Sequence, residues 1–400
     1  MKILMVNKFL HPNGGSETYI FKLGNELKRQ GYEVEYFGME HEGRIVGNHA
    51  QIYTGNMDFH TGKLQKLLYP FKIIYSREAA KKIRKVLEDF KPDVVHLNNF
   101  NFQLTPSVIY AVKKYESKCK KKIKLVYTAH DSQLVCPNHL MQNPVTLTCC
   151  DACLKHGVFQ CARRKCIHSS RIKSLLGSFE AVLYKKLKTY QKLDVIICPS
   201  KFLKEKLDTD SVLRQKTIVL RNFVDQKIYS ELPSKQDYVL YFGRYSQEKG
   251  INTLLKVCRE LSYISFHFAG SGPLEEEIKK LSNIELRGFL EGDALFREIA
   301  GARFAVFPSE CYENCPFAVM EAQMCRTPVI GSDLGGIPEL IEEGVTGELF
   351  ESGNAALLAK KIRDLWENEE LLGRYAENCR NVKFDCVEEY TKKIFELYEH

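Results

Sequence analysis

"FAVFPSECYENCPFAVMEAQ", residues 304–323, joins an unbroken apolar run to a helix-compatible run through a short polar loop. Alternating strands of an open antiparallel sheet would show polar residues every second position. "FAVF" (304–307) shows none, which suits a parallel strand covered on both faces. An amphipathic run follows the loop, so a strand hands over to a helix here. The stretch therefore reads as one βα unit. Its loop and first helical turns carry two carboxylates, Glu313 and Glu321, eight positions apart with Pro316 between them.

The same unit repeats in both directions. Toward the N-terminus, strands are expected at 2–7 ("KILMVN"), 32–38, 93–97, 124–130 and 194–200. A second series is expected at 238–243 ("YVLYFG"), 264–270, 284–289, 304–309 and 328–332. Helical stretches separate them, as at 16–30, where Tyr19, Leu23 and Leu27 share one face and Gly31 closes the segment. Two series of strand–helix alternation predict an α/β protein with two Rossmann-like, doubly wound domains. The boundaries read as 1–222 and 223–386, joined through the polar stretch "DQKIYSELPSKQD" (225–237). An irregular cysteine-rich insertion interrupts the first domain at about 136–168, and 387–400 reads as an amphipathic helix.

Length and composition agree with this. The chain has 400 residues, 44% hydrophobic and 27% charged, enough for two full cores. The opening "MKILMVNKF" has an apolar run too short for a signal-peptide core, and no window approaches the ~18 apolar residues of a membrane span. A cytoplasmic protein is expected, with its 14 cysteines as thiols or metal ligands. Charge is uneven. Residues 1–200 carry 32 Lys and Arg against 16 Asp and Glu, whereas 201–400 carry 26 against 34. Basic runs at 113–124, 162–165 and 184–192 read singly as solvated helix faces. Together they suggest an anionic membrane surface, a phosphate-bearing partner or nucleic acid.

Ligands of open α/β sheets bind beyond the carboxyl ends of the strands, where helix N-termini favour phosphate. Three places qualify. In "HPNGGSE" (11–17), Gly14 and Gly15 precede a helix and let a ligand approach the backbone; the plain alternative is an Asn-Gly turn. In "YFGRYSQEKG" (241–250), Arg244 and Lys249 follow a strand and can clamp a diphosphate; the alternative is two solvated loop charges. In the opening stretch, Asn314 is expected as an N-cap and Pro316 in the first helical turn, leaving amides near 315–318 for a ligand. Glu313 and Glu321 can then accept hydroxyl hydrogen bonds from two polyols, one at each end of a diphosphate. The alternatives are a charge favoured by the helix dipole and an exposed helix position.

These residues carry a resemblance. "ENCPFAVME" (313–321), "NGGSE" (13–17), "FGRYSQEKG" (242–250), "AGSGP" (269–273) and "SDLGGIPELI" (332–341) resemble the retaining glycosyltransferases of family four, of the bacterial cell-surface polysaccharide type. The resemblance implies the GT-B fold, with two Rossmann-like domains facing across a cleft and the C-terminal helix packed back on the first. It implies that Glu313 holds the donor sugar, Glu321 the nucleotide ribose, and Arg244 and Lys249 the diphosphate. Gly14 and Gly15 would face the donor phosphates, with Asn314, Pro316 and Phe317 lining the donor site. His130 would lie near the donor sugar. His96 would stand on the acceptor side, or be a satisfied histidine at a strand end. A hexose-type sugar would pass from a UDP- or GDP-linked donor to a glycan or lipid-linked acceptor, with retention and no cofactor required for catalysis. The chain departs from the family at Asn222-Phe223, where Asn-Gly is frequent, and at Asn314-Cys315, where small residues are frequent. Both departures touch donor-sugar contacts.

The cysteines "CCDACLKHGVFQCARRKC" (149–166) are separate chemistry. Cys150, Cys153, Cys161 and Cys166 can enclose a structural zinc or pack as free thiols. The overall expectation is a cytoplasmic glycosyltransferase, peripheral on the inner face of a membrane. One rival is a GT-B nucleotide-sugar epimerase or hydrolase. The other is a zinc-containing nucleic-acid-binding protein, against which the paired domains and the acidic second half argue; no nucleic acid is expected as a partner.

Overall fold

The computed structural model describes residues 1–55, 73–224 and 233–399. Most of the expected joint at 225–237 lies outside them. The chain divides into two compact units. One comprises Met1–Val145, Cys150–Asn222 and Val387–His400, the other Thr146–Cys149 and Phe223–Cys386.

The first unit holds a six-stranded sheet: β1 (Lys2–Val6), β2 (Glu33–Phe37), β3 (Val94–Leu97), β4 (Lys124–Thr128), β5 (Val195–Cys198) and β6 (Thr217–Val219). Their order is β2-β1-β3-β4-β5-β6, all parallel. The second unit repeats the plan with β7 (Gln236–Phe242), β8 (Phe266–Ala269), β9 (Ile284–Gly288), β10 (Ala302–Phe307), β11 (Val329–Ser332) and β12 (Gly347–Phe350). Their order is β12-β11-β10-β7-β8-β9, again all parallel. The expected two doubly wound domains are present. Every expected strand is found; β6 and β12, both short edge strands, were not expected.

Helices cover both faces. The Gly15–Arg29 helix buries Tyr19, Ile20, Leu23 and Leu27, and ends on Lys28 and Arg29, which suit its dipole. Serine side chains cap the Arg77–Phe90, Arg171–Lys186 and Lys201–Leu207 helices by accepting a backbone N–H. The core of the first unit includes Leu4, Val95, Leu125 and Ile196 from its strands, packed with Ile83 and Val112 from its helices. Two clusters sandwich the second sheet. Leu254 and Ile362 pack on one side, Val319 and Met320 on the other.

The Val387–Glu399 helix belongs to the first unit, where it buries Tyr390, Thr391, Ile394 and Tyr398. Its hold is polar as well as apolar. Tyr390 OH lies 2.8 Å from Tyr19 OH, and Tyr398 OH lies 2.6 Å from His96 Nδ1.

Candidate functional site

Strand order alone points to where a ligand should bind. In each sheet the winding reverses beside the first strand, between β1 and β3 and between β7 and β10. At such a point the two following loops part and leave a crevice at the carboxyl edge.

In the second unit those loops are 243–250, after β7, and 308–316, after β10. They meet through Lys249 and Glu313. The Lys249 ammonium donates to Glu313 Oε1, and Ser309 Oγ donates to the same oxygen at 2.8 Å. Lys249 retains 30% and Glu313 13% of side-chain exposure. Burial disfavours a charged lysine, but Glu313 outweighs it and holds the Lys249 pKa above its ordinary value. The Cys311 thiol is pushed up to about 12, mainly by burial and then by the Glu313 charge. The pair is a neutral but ionised couple at the crevice. Arg244 is exposed, and among the described residues its guanidinium has no hydrogen-bond or ion-pair partner. Its carbonyl accepts from Tyr241 OH at 2.8 Å, which fixes the loop while leaving the side chain open.

Two glycines make this arrangement possible. Gly250 has φ +75°, and a Cβ there would come within 1.8 Å of the Pro308 carbonyl oxygen. Gly335 has φ +65°, and a Cβ there would lie 2.5 Å from the Glu313 oxygen and 2.8 Å from its nitrogen. The neighbouring Gly336 N–H donates to the Glu313 carbonyl at 2.7 Å. The loops after β7, β10 and β11 thus lock together around the backbone of Glu313.

The helix after this loop is Phe317–Met324, and Pro316 rather than Asn314 occupies its N-cap, with no side-chain cap. Pro316 has ψ 122°, so the chain is still extended there, and helical geometry begins two residues later than expected. The first helical amides are left without a side-chain acceptor from the N-cap. Phe317 packs edge-on to Phe223, with ring centres 6.3 Å apart. Glu321 is half-buried in this helix, roughly 6 Å along its axis from Phe317.

In the first unit the loops after β1 and β3 are tied by polar side chains. Asn7 Nδ2 and Ser16 Oγ donate to the buried Glu17 carboxylate at 2.8 and 2.9 Å, and Asn99 Nδ2 donates to Ser16 at 2.8 Å. Gly14 caps the Gly15–Arg29 helix in an extended conformation, φ −177°. A Cβ there would meet nothing closer than Glu17 Oε2 at 3.6 Å, so packing within the chain does not require glycine.

His96 is fully buried, and both ring nitrogens are engaged, by Tyr398 and by Thr128 Oγ1 at 2.7 Å. Desolvation and then His130 lower its pKa to about 3. It has no nitrogen left for an acceptor, so of the two expectations the satisfied strand-end histidine describes it. His130 Nε2 lies 2.9 Å from Asn98 Oδ1, while Asn98 Nδ2 donates to the His96 carbonyl at 3.4 Å. With the amide oxygen turned to the ring, the arrangement fits a His130 that donates from Nε2. Burial lowers its pKa to about 3, so the ring is neutral.

One feature of this edge went unassigned from sequence. His11 and His41 stack with ring centres 3.7 Å apart beside a cavity of about 160 Å³ lined also by Lys8, Phe9, Met39 and Glu40. His11 Nδ1 is buried without a hydrogen-bond partner. Burial and then His41 lower the His11 pKa. The only available signal was position, since both follow strands of the switch-point region.

Cys136, Cys153, Cys161 and Cys166 lie close enough to influence one another's charge, and Cys161 and Cys166 are hydrogen-bonded through their side chains. Cys150 accepts an N–H from Arg164 at 3.3 Å, and Cys153 donates to the Val158 carbonyl at 3.6 Å. Cys161, Cys166 and Ile167 form a buried cluster against Phe102 and Cys153. Among the described residues no three His, Cys, Asp or Glu side chains are grouped so as to hold a metal ion.

Comparison with known proteins agrees with this architecture. The model of "Glycosyl transferases group 1" matches residues 225–382, and that of "Glycosyltransferase Family 4" matches residues 13–227. An uncharacterized glycosyltransferase of Methanocaldococcus jannaschii is 31% identical over 219 residues, 53% of this chain. The chain spans 60% of the length of that relative. An uncharacterized 42.6 kDa protein of the cps region of Klebsiella pneumoniae is 25% identical over 359 residues, covering 85% of this chain and 87% of the other. The Anabaena protein HepE, solved with UDP and glucose, superimposes with a TM-score of 0.67 at 18% identity over 100% of this chain and 99% of its own. That likeness is one of fold, GT-B. With a family match over more than half of its length, this chain belongs to glycosyltransferase family 4.

Proposed function

We propose that the chain is a retaining glycosyltransferase that moves a hexose-type sugar from a UDP- or GDP-linked donor to a glycan or lipid-linked acceptor. The observation that carries the reading is the crevice between β7 and β10. There a Lys249–Glu313 ion pair lies on loops flanked by Arg244, whose guanidinium has no partner among the described residues. A nucleoside diphosphate brings negative charge that two cations and uncapped helix amides can accept. As the sugar–phosphate bond breaks, that charge grows on the leaving diphosphate, and Arg244 and Lys249 stabilise it. Glu313 accepts hydroxyl hydrogen bonds from the sugar, and Glu321 from the ribose.

Attack from the face of the departing diphosphate keeps the anomeric configuration. His130, neutral and oriented by Asn98, supplies a polar contact to the donor sugar rather than a proton. Acceptor recognition is assigned to the carboxyl edge of the first unit, where His11 and His41 line the cavity. That HepE was solved with UDP and glucose, and that the Klebsiella relative lies in a cps region, support a nucleotide-sugar enzyme of polysaccharide assembly.

The test is a thermal-shift screen over nucleotide sugars and their diphosphates, followed by product analysis. Binding only the native state, a true donor raises the melting temperature in a concentration-dependent way. Protection by UDP or GDP and product formed only with acceptor support the proposal. Sugar released or epimerised without acceptor would assign the site to a hydrolase or epimerase, and no protection by any nucleotide would overturn the donor assignment.

A further inference from the structure

The Arg171–Lys186 helix is packed inside out. Its inward face is small or polar: Ser174, Gly177, Ser178, Glu180 and Tyr184 are its buried residues. Ser174 Oγ accepts the Ile167 N–H at 2.9 Å, and Ser178 Oγ donates to the Val158 carbonyl at 2.9 Å. Gly177 lies so close to Ile167 that a Cβ would come within 2.5 Å of its side chain. Glu180 is buried, and desolvation pushes its pKa up to about 8.

The outward face is apolar. Ile172 is 81% and Phe179 58% exposed, and Leu175, Leu183 and Leu187 are exposed beside them. These positions recur at helical spacing and form one stripe roughly 20 Å long. Phe159, the N-cap of the adjacent Gln160–Arg164 helix, extends it by an edge contact with Phe179, ring centres 6.1 Å apart. A surface helix ordinarily turns such a stripe to the core, so its exposure marks an interaction face.

Charge decides the occupant. Residues 163–192 contain nine Lys or Arg and a single acidic residue, the buried Glu180. Arg171, Lys173, Lys186 and Lys188 flank the stripe and are exposed, and none of them has an ion-pair partner among the described residues. A second copy of the chain would set these cations against their own equivalents. In the other basic run, 113–124, three of the seven lysines are ion-paired: Lys113 with Glu116, Lys118 with Glu88 and Lys121 with Asp93. Among the described residues no helix is long and apolar enough to cross a membrane.

We propose that the exposed stripe of the Arg171–Lys186 helix, with its basic flanks, is a docking surface for an anionic lipid bilayer. The apolar side chains enter the headgroup boundary, and the lysines and arginines meet lipid phosphates. The docking is independent of sugar transfer, so it is tested without turnover. Flotation of the full chain with phosphatidylcholine vesicles, with and without phosphatidylglycerol, reads it directly. Binding is expected only to the anionic vesicles and should fall as salt rises. The pair Ile172→Ser with Phe179→Ser should weaken it about tenfold or more, and the pair Lys173→Glu with Lys186→Glu similarly. All four residues are exposed, so unchanged melting and nucleotide binding are expected and separate this failure from failure of the donor reading. Anionic-vesicle binding that survives both pairs overturns the proposal, as does absence of binding. A concentration-dependent dimer dissolved by Phe179→Ser, without vesicle binding, assigns the stripe to a second copy and equally overturns it.

Discussion

Exchanging Glu313 for Gln keeps the shape of the side chain and removes its charge, and the structure makes the consequences divide in sign. Oε1 of Glu313 receives both the Lys249 ammonium and the Ser309 hydroxyl, and its carboxylate is what keeps Lys249 charged against burial. With Gln in place, a half-buried ammonium faces a neutral amide, and the fold should lose roughly 1–3 kcal/mol. A sugar hydroxyl that donated to the carboxylate loses a charge-assisted bond of about 1.5–3 kcal/mol, which is roughly 10- to 150-fold in kcat/KM. Affinity for a bare nucleoside diphosphate should hold or rise, because the cation it needs has lost a competing anion. Lys249→Met should do the opposite, weakening the diphosphate by a similar factor. Arg244→Ala should also weaken it but leave melting unchanged, since its guanidinium has no internal partner among the described residues. Calorimetric titration with UDP and GDP, beside initial rates, separates the three variants. A parallel loss of diphosphate affinity in Glu313→Gln and Lys249→Met would show that the pair only holds the loops together. Normal turnover of Glu313→Gln would remove the carboxylate from the reaction.

Three further outcomes follow from particular contacts. His96 is held neutral with a pKa lowered to about 3, so its contribution is full above pH 6.5 and is lost as pH falls toward 3, at about 1.4 kcal/mol per pH unit. Urea unfolding should therefore register about 2 kcal/mol less stability from this group at pH 5 than at pH 7, and a His96 imidazole resonance titrating near 6.5 would refute it. Gly335→Ala should lower both the melting temperature and transfer, because its Cβ meets the Glu313 backbone, whereas Gly344→Ala, with φ +75° and nothing nearby, should lower melting alone. Equal effects on transfer would mean that the Glu313 loop tolerates displacement. If Cys150, Cys153, Cys161 and Cys166 hold a structural zinc, protein purified without chelators carries about one zinc per chain by elemental analysis, and a zinc-free protein leaves them as packed thiols.

Most of the fold was legible because parallel strands buried on both faces write themselves as apolar runs. Where that condition weakens, so does the signal. β6 is three residues long with Val219 exposed, and β12 reads Gly-Glu-Leu-Phe; both lie at sheet edges and show no continuous run. Lys249 and Glu313, 64 residues apart, could be associated because each follows a strand of one series, and the sheet order makes those strands neighbours. The role of His96 could not be read in the same way. Its partner Tyr398 lies 302 residues away on a returning helix, and no local pattern encodes that return. The helix at 171–186 shows the converse limit. Its periodicity identifies a stripe, but only packing against Ile167 and Val158 reveals that the stripe faces outward.

The two switch points also differ in what they leave for a ligand. In the first unit, polar groups around the carboxyl ends of β3 and β4 are consumed by the chain itself. His96 is bridged to Tyr398 and Thr128, Thr128 lies 3.2 Å from Tyr19 OH, and His130 rests on Asn98. Introducing an anion there would break buried hydrogen bonds whose loss costs about 1–3 kcal/mol each. In the second unit, Arg244 is held by its backbone and open at its guanidinium, and Lys249 is charged and anchored by one carboxylate. An arriving diphosphate there meets cations already fixed in place, and reorganisation costs little. Under the proposed function, electrostatics therefore favour the second unit for the charged donor, independently of any family pattern. What the first unit offers instead is the partly unsatisfied edge at His11 and His41, lined also by Lys8 and Glu40, which under the proposed reading suits a hydroxylated acceptor.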